Sequence, residues 1–180
     1  MEKIKLLALS GSLREASYNT AAINALKALA PIHVEVMVGG IGDLPLFNPD
    51  LEDEHIPALQ ELKEALNQSS GLILAAPEYA HGISGPLKNA LDWLVSGTEF
   101  PGKPIMLINT SPRAYHALDS LREVLKTMSG RIVESANVSI PLLGSELNSD
   151  AIIKHEEISI SLTSGLGEFC REIEDQKLNK

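Results

Sequence analysis

Three short stretches of almost unbroken apolar sequence limit what this chain can fold into: Ile4-Lys5-Leu6-Leu7-Ala8-Leu9, Leu72-Ile73-Leu74-Ala75-Ala76 and Ile105-Met106-Leu107-Ile108. A strand with one wet face alternates apolar and polar residues. A run without alternation is covered on both faces, as in a parallel sheet sandwiched between helices. Each run stops at a turn signal: Ser10-Gly11-Ser12, then Pro77, then Asn109-Thr110-Ser111-Pro112. Ile32-His33-Val34-Glu35-Val36-Met37-Val38 does alternate and predicts a more exposed edge strand. Residues 131–140 give a fifth, weaker strand candidate, interrupted around Ser135.

Between the strands the apolar period becomes helical. Ile23, Leu26 and Ala30 share a stripe, as do Leu59, Leu62 and Leu66, then Leu87, Ala90, Leu91 and Leu94, then Leu118, Leu121, Leu125 and Met128. Pro57 and Pro86 sit where a first helical turn tolerates a missing N–H, and Gly71, Gly97 and Gly130 lie where helices should stop. Residues 150–176 carry Ile152, Ile153, Ile160, Leu162, Leu166, Phe169 and Ile173 and predict one long final helix. Strand and helix thus alternate five times, which requires right-handed crossovers and a doubly wound α/β sheet with helices on both faces. The six-strand dinucleotide arrangement wants a glycine-rich fingerprint after its first strand, which is missing. Five strands in 180 residues favour the order 2-1-3-4-5, in one domain spanning residues 1–180.

Charge and composition remove several classes of function. A net charge of −9 repels a phosphate backbone, so nucleic acid is not expected as a partner, although one compact anion can still bind at a local cation. No segment approaches the roughly 18 apolar residues a membrane helix needs, so no membrane partner is expected. Cys170 alone cannot form an internal disulfide or a cysteine metal cage, and no His/Asp/Glu cluster has metal spacing. With no apolar run ending in a cleavage site near the start, the reading is a cytoplasmic protein without a metal.

In a sheet of this order, ligands bind outside the carboxyl ends of the strands where crossovers diverge. After the first strand comes Ser10-Gly11-Ser12-Leu13-Arg14-Glu15-Ala16-Ser17-Tyr18-Asn19-Thr20, ahead of the Ile23 helix. Hydroxyls, unpaired N–H groups at a helix start and one arginine suit a phosphate monoester. The plainer alternative is a polar turn with Ser17 or Asn19 as an ordinary N-cap. After the third strand, Pro77-Glu78-Tyr79-Ala80-His81-Gly82-Ile83-Ser84-Gly85-Pro86-Leu87-Lys88-Asn89 predicts a shaped loop that presents backbone groups, with Tyr79 and His81 available to meet a flat ring. A simple connector is the alternative. After the fourth, the segment Thr110-Ser111-Pro112-Arg113-Ala114-Tyr115-His116 offers Ser111 and Arg113 as ligand contacts, or else a capped turn. Gly97-Thr98-Glu99-Phe100-Pro101-Gly102-Lys103 imitates a phosphate-binding P-loop, but Pro104 replaces the metal-binding hydroxyl and the segment leads into a strand rather than a helix.

At these residues the chain resembles the NAD(P)H-dependent FMN reductase family, flavodoxin-like flavoproteins that include chromate, quinone and azo-dye reductases. The likeness is carried by Leu9-Ser10-Gly11-Ser12-Leu13-Arg14 with Ser17 and Asn19, and by Pro77-Glu78-Tyr79 followed by Gly85 and Leu87-Lys88-Asn89-Ala90-Leu91-Asp92-Trp93. It extends through Ile41-Gly42-Asp43-Leu44-Pro45 and covers roughly residues 4–130. The chain departs from the family's commonest second motif at Ala80, where asparagine is frequent, and at Ser84, where proline is frequent. The resemblance implies that Ser10, Ser12, Arg14, Ser17, Asn19 and Thr20 hold an FMN phosphate, and that Pro77, Glu78, Tyr79, Ala80, His81 and Gly82 cradle the flavin ring. NADPH or NADH is then the co-substrate, and a quinone, flavin, azo compound or metal oxyanion the small-molecule acceptor. No catalytic side chain is expected, because the flavin carries the chemistry. It further implies a homodimer or homotetramer, for whose contact residues 39–54 and the helix after Pro86 are the candidates in this sequence. Two alternatives stand beside this reading: a flavodoxin-like electron carrier without its own NAD(P)H activity, and a flavin-free phosphosugar or nucleotide enzyme.

Overall fold

The computed structural model describes residues 3–111, 113 and 115–178. In chain order its elements are β1 (Ile4–Ser10), α1 (Tyr18–Leu29), β2 (Val34–Gly39), α2 (Pro57–Gln68), β3 (Gly71–Ala75), β4 (Glu78–Tyr79), β5 (Gly82–Ile83), α3 (Gly85–Leu94), β6 (Pro104–Asn109), α4 (Tyr115–Thr127), β7 (Arg131–Ile132), β8 (Val138–Ser139), α5 (Ser149–Lys154) and α6 (Glu156–Leu178). The main sheet runs β2-β1-β3-β6, with β7 and β8 together occupying the next place beyond β6. Every pairing in it is parallel. This is the 2-1-3-4-5 order, with the small antiparallel hairpin β4–β5 standing apart from the sheet.

The reason for the unbroken apolar runs is visible in where successive side chains go. Leu6, Ala8, Ile73, Ala75, Met106 and Ile108 pack on one face with residues of α1, α5 and α6. Leu7, Leu9, Leu72, Leu74, Ile105 and Leu107 pack on the other with α2, α3 and α4. Since neighbouring side chains on a strand point to opposite faces, a sheet covered on both sides needs an apolar residue at each position. The edge strand β2 keeps the alternation, with Val34 and Val36 buried and Glu35 exposed.

The fifth position is one strand broken in the middle. A 3₁₀ turn over Glu134–Ala136 lifts the backbone away from β6, and Asn137 repairs the ladder, its Oδ1 accepting from the Leu107 N–H at 2.8 Å. The expected single final helix is divided: α5 ends at His155, which takes an extended backbone (ψ 106°), and α6 restarts at Glu156. The apolar stripe continues across the break, so periodicity alone conceals it.

Helix α4 ends in a closed motif in which Gly130 N–H bonds the Leu125 carbonyl and Ser129 N–H that of Lys126. The left-handed residue is Ser129 (φ 60°) rather than the following glycine, whose role is space: a Cβ at Gly130 would lie 2.6 Å from Ile105 Cδ1. A side chain in this backbone region costs about 1 kcal/mol. Ser129→Gly is therefore expected to stabilise the fold by about 0.5–1 kcal/mol, seen as a higher urea midpoint with an unchanged slope. A lower midpoint would mean the serine hydroxyl contributes more than its backbone costs.

Candidate functional site

The carboxyl ends of β1, β3 and β6 open into a cavity of about 280 Å³. From the first loop it takes Ser12, Arg14, Ser17, Tyr18 and Asn19; from the second, Pro77, Glu78 and Tyr79; from the third, Thr110, Ser111 and Arg113; and Leu143 closes one side. Nine residues expected from the sequence therefore share one wall system: Ser12, Arg14, Ser17, Asn19, Pro77, Glu78, Tyr79, Ser111 and Arg113. Pro112 and Ala114 of the third segment lie outside the described residues.

The first loop is folded by its own hydroxyls. Thr20 Oγ1 donates to Ser10 Oγ at 2.8 Å, Ser10 Oγ accepts from the Ser12 N–H, and Ser12 Oγ accepts from the Arg14 N–H, both at 3.3 Å. Ser10 and Thr20 thus sit behind the cavity wall and shape it. Ser17 caps α1 by accepting from the Thr20 N–H at 3.3 Å, which leaves the first-turn N–H groups of Tyr18 and Asn19 without an intrahelical acceptor. Asn19 Oδ1 accepts from Thr110 Oγ1 at 3.0 Å, a buried tie between the first and third loops.

The second loop is the hairpin β4–β5. Its two-residue connection has Ala80 (φ 49°) and His81 (φ 59°) both left-handed, the pattern of a type I′ turn. That turn is usually built from Asn-Gly, which gives a physical meaning to the asparagine frequent at position 80 in the resembling family: a side chain that tolerates a left-handed backbone. Ala80, His81 and Gly82 form the tip beyond the cavity lining, while Glu78 and Tyr79 face it. Glu78 also fixes the hairpin to α4, its Oε2 accepting from the Ala117 N–H at 2.9 Å. The His81 and His116 rings meet at a tilt of 47° with centroids 4.3 Å apart, and those of His116 and Tyr115 at 35° and 4.0 Å.

Ser84, the other departure from that family's pattern, is fully buried and donates from Oγ to the Gly11 carbonyl at 2.5 Å, joining the first two loops. Gly11 permits the approach, since a Cβ there would lie 3.0 Å from Pro77 Cδ and 3.2 Å from Leu87 Cδ2. Ser84→Ala is expected to cost about 1–3 kcal/mol, because it removes this bond from the buried Gly11 carbonyl. A midpoint in chemical denaturation equal to the parent's would show that the carbonyl finds another donor. The motif residues Asn89 and Trp93 serve a neighbouring segment: Asn89 Oδ1 accepts from the Phe47 N–H, Asn89 Nδ2 and Trp93 Nε1 donate to the Pro45 carbonyl, and Phe47 packs edge-on against Trp93.

The electrostatics are simple. Arg14 and Arg113 are exposed at the cavity, and among the described residues neither forms an ion pair. Two unpaired cations beside one cavity, in a chain of charge −9, mark a place for anionic groups. The donors fit a phosphate monoester at the start of α1, and Pro77, Tyr79 and Leu143 fit the apolar surface of a flat ring, so the residues present fit FMN. Tyr18, Thr110 and Leu143 join the lining without having been singled out by the sequence. Tyr18 and Thr110 lie inside the loops already identified, whereas Leu143 carries no sequence signal.

The model of the NADPH-dependent FMN reductase family matches residues 4–142. An NAD(P)H-dependent FMN reductase of Pseudomonas aeruginosa is 36% identical over 113 residues, and a quinone reductase of Escherichia coli 37% over 115. Each match spans 61% of this chain and 61% of the relative's length. Among solved structures, the flavoenzyme FerB, an NAD(P)H:(acceptor) oxidoreductase from Paracoccus denitrificans, superposes with a TM-score of 0.79 at 27% identity, covering 95% of this chain and 97% of its own.

Proposed function

The chain belongs to the NADPH-dependent FMN reductase family, and from that membership we propose that it is a flavoenzyme, acting as one FMN-binding domain, that oxidises NADPH or NADH and reduces a small-molecule acceptor. The observation that carries this reading is the cavity at the strand ends, with hydroxyls and helix-start N–H groups on one side, apolar surface on the other, and the unpaired Arg14 and Arg113 at its rim. Ser12, Ser17, Arg14 and the first turn of α1 hold the terminal phosphate through hydrogen bonds to charged oxygens. Pro77, Glu78 and Tyr79 and the backbone of the adjoining turn position the ring. Ser10, Thr20, Asn19 and Ser84 act one layer back, holding the loops so that the donors are already in place. Bound FMN supplies the redox chemistry, a two-electron transfer from nicotinamide to a quinone, flavin, azo compound or metal oxyanion.

The assembly proposed is a homodimer or homotetramer, supported by exposed Leu46 on the loop that Asn89 and Trp93 anchor and exposed Val95 just after α3. A monomeric mass in sedimentation with FMN retained would remove that part. A cytoplasmic location accords with the single, buried Cys170; among the described residues no helix is long and apolar enough to cross a membrane.

The test is the absorbance spectrum of the purified protein, followed by anaerobic additions of NADPH and NADH. Flavin bands that bleach with either nucleotide are expected. A colourless protein that does not take up added FMN overturns the cofactor, and a coloured one that bleaches with neither nucleotide leaves an electron carrier.

A further inference from the structure

Arg113 has no partner in the binding scheme just given, and its surroundings are specific. It lies exposed on the cavity side of the third loop, two residues before the exposed Tyr115, and among the described residues no carboxylate neutralises it. Two residues further along the chain, tilted rings from two elements form a ledge, Tyr115 against His116 and His116 against His81. Tyr115 is 57% exposed and Tyr79, on the facing hairpin, 48%. Among the described residues neither neighbouring carboxylate forms an ion pair with Arg113: Glu78 Oε2 accepts from the Ala117 N–H, and Asp119 lies exposed farther along α4.

An unpaired guanidinium two residues from a ledge of tilted aromatic rings, of which Tyr115 and His81 are exposed, is complementary to a flat ring that carries an anion. We propose that Arg113 and the Tyr115–His116 ledge form a recognition subsite for an aromatic group bearing a phosphate or sulfonate, distinct from the phosphate receptacle at Arg14. This rests on the reductase reading and deepens it. Two sources share that chemistry: the adenosine 2′-phosphate of NADPH, and an anionic aromatic acceptor such as a naphthoquinone sulfonate. In a chain of charge −9 such ligands are repelled overall, so one local cation decides where they dock.

The experiment compares the holoprotein with its Arg113→Ala and Arg113→Lys variants. Steady-state kinetics give two ratios: the KM for NADH over that for NADPH, and the KM for a neutral naphthoquinone over that for its sulfonate. Calorimetric titrations with adenosine 2′-monophosphate, adenosine and naphthalene sulfonate, none of which is reduced, read binding alone. In Arg113→Ala at least one ratio is expected to fall by about five- to tenfold, with the matching calorimetric affinity, and Arg113→Lys to recover part of it. The ratio that falls identifies the source. Tyr115→Ala is expected to weaken naphthalene sulfonate by about threefold or more, and Tyr115→Phe to leave it near the parent value. Both ratios unchanged within twofold, with unchanged calorimetric affinities, overturns the subsite. Failure of the reductase reading is separately visible as a flavin that does not bleach, and the calorimetry still reports on Arg113 in that case.

Discussion

Replacing Gly165 by alanine is expected to destabilise the protein by about 2–3 kcal/mol, although alanine is the better helix former by about 1 kcal/mol. Gly165 sits inside α6 where that helix crosses the broken fifth strand. A Cβ there would lie 2.4 Å from Val138 Cγ2, 2.8 Å from the Ala136 carbonyl oxygen and 3.1 Å from Met106 Cε. The methionine can move, but the carbonyl belongs to the 3₁₀ turn that carries the backbone past β6, so relief requires α6 or that turn to shift. For a chain of this length the loss corresponds to roughly 5–10 °C in melting temperature. Gly167, two residues on and exposed, is the internal control, because a Cβ there meets nothing within 4 Å. Gly167→Ala is expected to raise stability by up to about 1 kcal/mol. Equal effects of the two substitutions in a thermal melt would show that propensity, not the close approach, governs this helix.

The contrast between those glycines also marks where reading the sequence stops. The sheet is legible because its physics is local: an apolar residue at each position means two covered faces, and Ser10, Pro77 and Asn109 punctuate the strand ends where the cavity opens. Even the interruption near Ser135 leaves a trace, since Glu134, Ser135 and Asn137 cannot continue a buried strand. What escapes depends on distant partners. Nothing around His155 separates one helix from two, because Ile152 and Ile158 satisfy the same apolar stripe whether or not the backbone bends between them. The hairpin at Ala80 and His81 is hidden because its turn type normally announces itself with Asn-Gly. Leu143 reaches the cavity only because the Leu142 N–H bonds the Thr110 carbonyl and the Glu146 N–H bonds the Tyr18 hydroxyl, contacts that bridge more than thirty and more than one hundred residues respectively.

Arg14→Ala is expected to raise the FMN dissociation constant by about tenfold, while the melting temperature of the flavin-free protein stays where it was. A charge-assisted hydrogen bond contributes about 1.5–3 kcal/mol, and the exposure of Arg14 places it at the lower end through solvent screening. Since Arg14 forms no ion pair among the described residues, removing it costs the empty fold little. Ser17→Ala should behave differently, because Ser17 both faces the cavity and caps α1. Loss of the cap lowers stability by about 1 kcal/mol with or without flavin, and loss of the hydroxyl weakens FMN as well. Measuring both quantities for both variants therefore separates a residue that acts only on the ligand from one that also builds the receptacle. Salt sharpens the distinction: screening should weaken FMN binding in the parent and in Ser17→Ala, and should do so less in Arg14→Ala, where one cation is already gone. If the salt dependence is the same in all three, the phosphate is held by dipoles and hydroxyls alone and Arg14 lies outside its reach.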